Sequence, residues 1–160
     1  MAEVRLREVV DADLRILFEQ QLDPDANRMA AFTVADPTDR DAFLTRLRRI
    51  RADESVPIRT IVADGEVAGS ILLWRDPDVP GPEVSFWLGK EHWGRGIATA
   101  ALTAFLGIVD ERPLYGRCAA DNVGSRQVLE KCGFVIRSEG LGFAPARGLE
   151  IGRASCRERV

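Results

Sequence analysis

The segment Trp93-Gly94-Arg95-Gly96-Ile97-Ala98 constrains this chain more than any other. Upstream of it, Val84, Phe86 and Leu88 alternate with Glu83, Ser85 and Trp87, which is the period of a strand with two unlike faces. Downstream, Ile97, Ala101, Leu102, Phe105, Leu106 and Val109 form a continuous apolar helical face. A helix entered from such a loop leaves its first N–H groups without intrahelical partners, and its dipole favours an anion beside them. Gly94 and Gly96 carry no Cβ, so a phosphate can approach the backbone closely, and Arg95 adds positive charge. The segment has the physics of a pyrophosphate cradle, although a tight turn ahead of a packed helix satisfies the same pattern. Two other cradles are excluded. A P-loop needs GxxxxGK followed by Ser or Thr. The dinucleotide fingerprint GxGxxG needs glycine where Thr99 stands, and an acidic residue ending a second parallel strand, whereas Asp110 and Glu111 follow a helix.

The rest of the chain alternates strand and helix signals. Val4, Leu6 and Val9 lie in a short extended segment, and Asp11 offers an N-cap for a helix carrying Leu14, Leu17 and Phe18. Pro24 and Asp25 open a second short helix, and Asp36-Pro37 breaks the chain. A third helix is predicted from about Asp39 to Ala52, with Phe43, Leu44, Leu47 and Ile50 on one face. Its Arg46, Arg48, Arg49 and Arg51 are flanked by Asp39, Asp41, Asp53 and Glu54, so they read as a solvated face rather than a nucleic-acid patch. Ile58–Ala63 and Val67–Trp74 are strand-like around the hairpin turn Asp64-Gly65. After the helix that follows the glycine loop come a strand over Pro113–Ala119, a helix from Asp121-Asn122 to Cys132-Gly133, and a strand beginning at Phe134. The order β-α-α-α-β-β-β-α-β-α-β describes one mixed α/β domain.

Length and charge agree. One hundred and sixty residues make a single domain of ordinary size. A net charge of −3 argues against non-specific nucleic-acid binding. No apolar run reaches a membrane-span length, and no secretory signal opens the chain. Cys118, Cys132 and Cys156 are too few for a disulfide framework, so a reducing, cytoplasmic compartment is expected. With one histidine, His92, and no Cys-x-x-Cys pair, no metal site is expected.

Residues Ile151 to Val160 read IGRASCRERV. Back-translated, they fit ATC GGA AGA GCG TCG TGT AGG GAA AGA GTG without a mismatch, a string that resembles a common short-read sequencing adapter. The expectation is a native domain over 1–150 followed by a non-native 151–160, with the native C-terminus and its last strand missing. Setting aside the three arginines and one glutamate of that tail takes the net charge to −5. A sheet without its last strand has an unpaired edge, which invites aggregation or a homodimer.

A second block, Asp121-Asn122-Val123-Gly124-Ser125-Arg126-Gln127-Val128-Leu129-Glu130-Lys131-Cys132-Gly133-Phe134, follows the glycine loop by about thirty residues. Taken alone, Asn122 reads as a helix cap and Ser125 as a surface residue. The two blocks together resemble the GNAT family of N-acetyltransferases, whose Q/R-x-x-G-x-G/A loop binds the pyrophosphate of acetyl-CoA. Trp93 departs from Gln/Arg at the first position and is similar to the Rim-type subgroup that acetylates protein N-termini, with its W-G-x-G-x-A loop. Asn122, Ser125, Gly133 and Phe134 match that subgroup's second motif. The likeness spans Val4 to Ile136.

The resemblance implies a GNAT fold, a mixed, mostly antiparallel sheet splayed at the acetyl-CoA site and flanked by helices. It implies a cofactor site of Phe86, Trp87 and Leu88 along the pantetheine arm, Trp93, Gly94, Arg95, Gly96, Ile97, Ala98 and Thr99 around the pyrophosphate, and Asn122 and Ser125 toward the thioester. Acetyl-CoA is the expected co-substrate and a small-molecule or peptide amine the expected partner, with neither nucleic acid nor membrane. Amide formation needs a base for the amine, a donor for the oxyanion and a proton for the thiolate. The resemblance makes Glu83 the candidate base, with a strand-edge surface carboxylate as the alternative, and backbone N–H near Leu88 the oxyanion donor. Ser125 is the candidate acid or thiol-orienting group, because the tyrosine many relatives carry four residues later is Leu129 here.

Other residues have plainer expectations. His92 is expected at the surface, Cys118 and Cys132 as buried apolar thiols, and Tyr115 as packing or pocket lining. Trp74, Trp87 and Trp93 fit either a pocket or the core. Asp23 and Asp25 either attract an amine or cap a helix. Three functions remain: an amine N-acetyltransferase, a catalytically silent acyl-CoA-binding module, and an unrelated α/β domain whose glycines serve a turn.

Overall fold

The computed structural model describes residues 2–158. The chain runs β1 (Val4–Arg7), α1 (Asp11–Gln20), α2 (Pro24–Ala30), α3 (Arg40–Ala52), β2 (Ile58–Ala63), β3 (Glu66–Trp74), β4 (Glu83–Leu88), a 3-10 turn at Lys90–His92, α4 (Ile97–Leu106), β5 (Tyr115–Ala119), α5 (Val123–Lys131), β6 (Phe134–Ala144) and β7 (Leu149–Glu158). The strands form one sheet in the order β1-β2-β3-β4-β5-β7-β6. Every neighbouring pair is antiparallel except β4 and β5.

Strand alternation separates two cores. Ile61, Ile71, Leu73 and Val84 pack against Ile97, Ala101, Leu102 and Phe105 of α4 and Leu129 of α5. On the other face, Ile58 and Leu72 meet Leu14 and Leu17 of α1 and Leu47 of α3. The Asp64-Gly65 turn has positive φ at both central residues, 50° and 82°, as a tight hairpin demands.

Caps set the helix starts. Asp39 caps α3 by accepting from Ala42 N–H at 3.0 Å. In α1 the structure corrects the expected Asp11 cap. Asp13 reaches back to Val10 N–H at 3.0 Å and also accepts from Arg7 and from the Thr60 hydroxyl, so the helix begins at Asp11 with Val10 before it. Burial opposes ionisation of Asp13, yet these donors outweigh it and hold its carboxyl below the ordinary range.

The place expected to be left open by a missing last strand is filled in the sheet. The strand begun at Phe134 continues to Ala144 and turns into β7, which lies between β5 and β6 and pairs with both. A register shift between Ile136 and Ser138 breaks the alternation that would have revealed the length of β6. Strand pairing is made by backbone groups that every sequence carries, so β7 does not bear on the origin of Ile151–Val160.

Candidate functional site: a cleft at the splay between β4 and β5

Glu83 and Tyr115 are the one aligned pair between the parallel strands β4 and β5, supported by Tyr115 N–H donating to Pro82 O at 2.9 Å. From Val84 to Leu88, β4 has no register partner on that side among the described residues. The wedge opens into a cleft of about 620 Å³. Phe86, Trp87 and Leu88 form one wall, Trp93, Gly94, Gly96, Ile97, Ala98 and Thr99 the end, and Asn122 and Ser125 the far wall.

The loop has the geometry its glycines suggested. Gly94 and Gly96 sit at φ of 73° and 74°, and a Cβ at either would meet nothing within 4 Å. Ala100 N–H bonds to Gly96 O at 3.1 Å, so helical geometry leaves the N–H groups of Ile97, Ala98 and Thr99 without intrahelical acceptors. Trp93 caps the cleft edge, its indole N–H donating to Leu88 O at 3.2 Å. Arg95 is the exception. Its guanidinium lies 2.7 Å from Asp64 and is not part of the lining.

On α5, Asn122 accepts from Ser125 N–H at 3.1 Å, so it caps the helix and also lines the cleft. Its amide donates to Met29 O at 3.3 Å. Arg147 binds Asp121 at 2.6 Å and Arg28 O at 2.8 Å. These contacts bring Ala26, Met29 and Ala30 of α2 over the cleft. The pairing with Arg147 holds the Asp121 carboxyl below the ordinary range.

Sequence reasoning missed Lys131 and Gln127, which line the cleft from α5. The signal was present: Val123, Gln127 and Lys131 recur every four residues on one helical face. Cys132, next to Lys131, lies 3.7 Å from Thr99 O, which puts that end of α5 beside the glycine loop.

Some expectations are corrected and others hold. His92 is buried at 4% exposure, lines the cleft, and leaves Nδ1 without a partner. Its position in the 3-10 turn between β4 and the loop folds it inward. Glu83 is not a surface carboxylate: it is 3% exposed, and both its oxygens accept from Arg117, at 2.5 and 2.9 Å. It lies at the closed end of the splay and outside the cleft lining. Asp23 caps α2 through Ala26 N–H, while Asp25 pairs with Lys90, which keeps its carboxyl below the ordinary range. Cys132 is only partly buried, whereas Cys118 is buried enough to push its thiol up to about 11. Leu129 is 2% exposed and packs on Gly116, in the core.

No helix among the described residues is long and apolar enough to cross a membrane. Among those residues no cluster of His, Cys, Asp and Glu is placed to hold a metal.

The sheet and its cleft define an acetyltransferase domain. The model of the acetyltransferase (GNAT) domain matches residues 3–135, and the chain belongs to that family. No curated protein matches the sequence. Among solved structures, the microcin C7 self-immunity acetyltransferase MccE, in complex with acetyl-CoA and AMP, has a TM-score of 0.81 at 16% identity, covering 99% of this chain and 93% of that one. Mycobacterium smegmatis RimJ, in complex with CoA-disulfide, gives 0.78 at 20%, covering 96% and 80%. A Vibrio cholerae spermidine N-acetyltransferase SpeG chimera with hSSAT gives 0.75 at 17%, covering 97% and 94%. At these identities the likeness is one of fold.

Proposed function

We propose that this chain is an acetyl-CoA-dependent N-acetyltransferase that moves an acetyl group to a primary amine by direct attack in a ternary complex. The observation that carries this reading is the splay itself. An unpaired β4 edge runs directly into a loop with three free helical N–H groups, a site shaped for an extended arm ending in a pyrophosphate.

Ile97, Ala98 and Thr99 N–H groups take the pyrophosphate, with Lys131 as the nearby cation in place of Arg95. The β4 backbone at Phe86, Trp87 and Leu88 pairs with the amides of the arm, as a strand pairs with an added strand. Backbone N–H near Leu88 donates to the oxyanion. Ser125 orients the thiol and returns a proton to it. Glu83 takes the proton of the attacking amine, directly or through water. Proteins of this fold include a spermidine N-acetyltransferase and an N-terminal acetyltransferase of ribosomal protein L7/L12; for this chain the acceptor class is a small-molecule or peptide amine.

A silent acyl-CoA-binding module is the second reading, and one observation favours it: Glu83 lies outside the cleft lining. Calorimetric titration of acetyl-CoA, with circular dichroism to confirm folding, tests the binding shared by both readings. Micromolar binding is expected, and no binding by a folded chain overturns both. Release of CoA thiol across an amine panel separates them, since the silent module releases none.

The same reading takes 1–150 as the native domain and Ile151–Val160 as translated adapter. Its support is the match of these ten residues to the adapter string.

A further inference from the structure

Arg117 sits on β5, and its side chain points to the face of the sheet that carries Glu83. Its Nε donates to Glu83 Oε2 at 2.5 Å, and its Nη2 donates to Glu83 Oε1 at 2.9 Å and to Asp76 Oδ2 at 3.1 Å. The side chains of Arg117, Glu83 and Asp76 are 10%, 5% and 21% exposed. Ion pairs taken this far from water give up hydration that their attraction only partly restores, and an apolar replacement is often as stable. Stability alone is therefore a weak reason for this triad.

Its location supplies a stronger one. Glu83 forms the last rung between β4 and β5 before the sheet opens. Asp76 begins the loop that runs to Pro82 and delivers the chain to that rung. A glutamate side chain has three torsions, and a reacting carboxylate has to be held in one of their combinations. A guanidinium fork does this with two near-parallel bonds, which a lysine point charge cannot do. Arg153 of β7 is the further charge beside this group, and it in turn feels Asp78 of the loop.

We infer that Arg117 is a positioning residue for acetyl transfer, which holds the Glu83 carboxylate at the closed end of the splay and ties the Asp76–Pro82 loop to it. The inference rests on the assignment of Glu83 as base.

A double-mutant cycle tests it. Arg117→Met, Glu83→Gln, the double variant and Arg117→Lys are assayed for CoA thiol release from acetyl-CoA, with spermidine and an alanine-initiated tetrapeptide as probe amines. Acetyl-CoA affinity is measured in parallel by calorimetry. Each single variant is expected to lower kcat by about 100-fold, and the double variant no further, because Arg117 acts through Glu83. Acetyl-CoA Kd stays within about twofold throughout, and Arg117→Lys recovers only part of kcat. Wild-type kcat in Arg117→Met, or losses that multiply in the double variant, overturn the inference while leaving Glu83 as base. Wild-type kcat in Glu83→Gln overturns the base assignment itself. Where Arg117→Met fails to fold, the double variant removes the Glu83 charge as well, leaving of this cluster only the part-exposed Asp76 without its partner, and is compared with Glu83→Gln; a further loss overturns the inference. Where neither amine is consumed, the same cycle is read from urea midpoints, and additive shifts overturn it.

Discussion

Tyr115 faces Glu83 across the one rung that joins β4 to β5, and its ring lies against the position of Gly81, 2.8 Å from where a Cβ would stand. The rung closes one end of the wedge whose other end is the glycine loop. Everything assigned to the cofactor lies on the open side of it, and the Glu83–Arg117–Asp76 cluster lies at its hinge. The site is thus a defect in an otherwise continuous sheet, bounded by one residue pair and one helix N-terminus.

Gly96→Glu should abolish acetyl-CoA binding. The new carboxylate meets a diphosphate at the helix N-terminus, and like-charge contacts of this kind cost several kcal/mol, so Kd rises by at least about 100-fold. Gly96→Asn separates this effect from strain, because asparagine tolerates the positive φ of 74° and a Cβ there is unobstructed. Calorimetry on both variants checks it: equal affinity in Gly96→Glu and wild type would sink the pyrophosphate assignment.

Ser125→Ala should lower turnover by about tenfold and leave acetyl-CoA affinity nearly unchanged. The capping bond to Asn122 is made by the Ser125 backbone N–H, so the helix start survives the change. Equal loss of kcat and affinity would make Ser125 a binding residue only. Asn122→Ala removes the cap and should cost about 1 kcal/mol of stability, read from urea unfolding.

Asp13 should govern acid stability. Its folded carboxyl lies below the ordinary value, so its contribution is complete above the unfolded value near 3.9 and disappears as pH falls through the folded value. Asp13→Asn should cost about 3 kcal/mol at neutral pH, since Arg7 loses its ionic partner and Val10 and Thr60 lose a charged acceptor. It should also flatten the acid limb of the stability curve. Urea titrations from pH 2 to pH 7 measure both, and an unchanged acid limb would remove Asp13 from the account.

Arg153→Met should stabilise the chain by about 1 kcal/mol. Burial first, and then the neighbouring Arg117, push the Arg153 guanidinium below its ordinary range, so the folded state holds that charge unwillingly. The methionine keeps apolar contact with Phe32, over which the guanidinium now stacks at 4.1 Å. A fall in thermal midpoint would contradict this. Re-reading the gene past Glu150 tests the adapter assignment directly: a different continuation is expected, and IGRASCRERV followed by further coding sequence would overturn it.

Much was legible along the chain because it depends on local chemistry. The alternation of Val84, Phe86 and Leu88, the Asp64-Gly65 turn and the apolar face from Ile97 to Phe105 each report a backbone conformation that neighbours a few residues away enforce. So does the loop Gly94-Arg95-Gly96, whose glycines occupy the left-handed region that L side chains avoid. The strand, loop and helix of the proposed cofactor site, and the family motifs on them, were therefore readable from residue types and spacing alone.

What only the tertiary structure decided concerns side chains whose fate depends on distant partners. Arg95 turns to Asp64, 31 residues away, and leaves the cleft, while Lys131 enters it because Cys132 packs against Thr99. Glu83 is drawn into the interior by Arg117, 34 positions later, and His92 is folded inward by a turn of three residues. β7 was unreadable for a related reason, since its strand character comes from filling the slot between β5 and β6. Backbone conformation is set within a few residues, but charge pairing and burial are set by which segments the fold brings together.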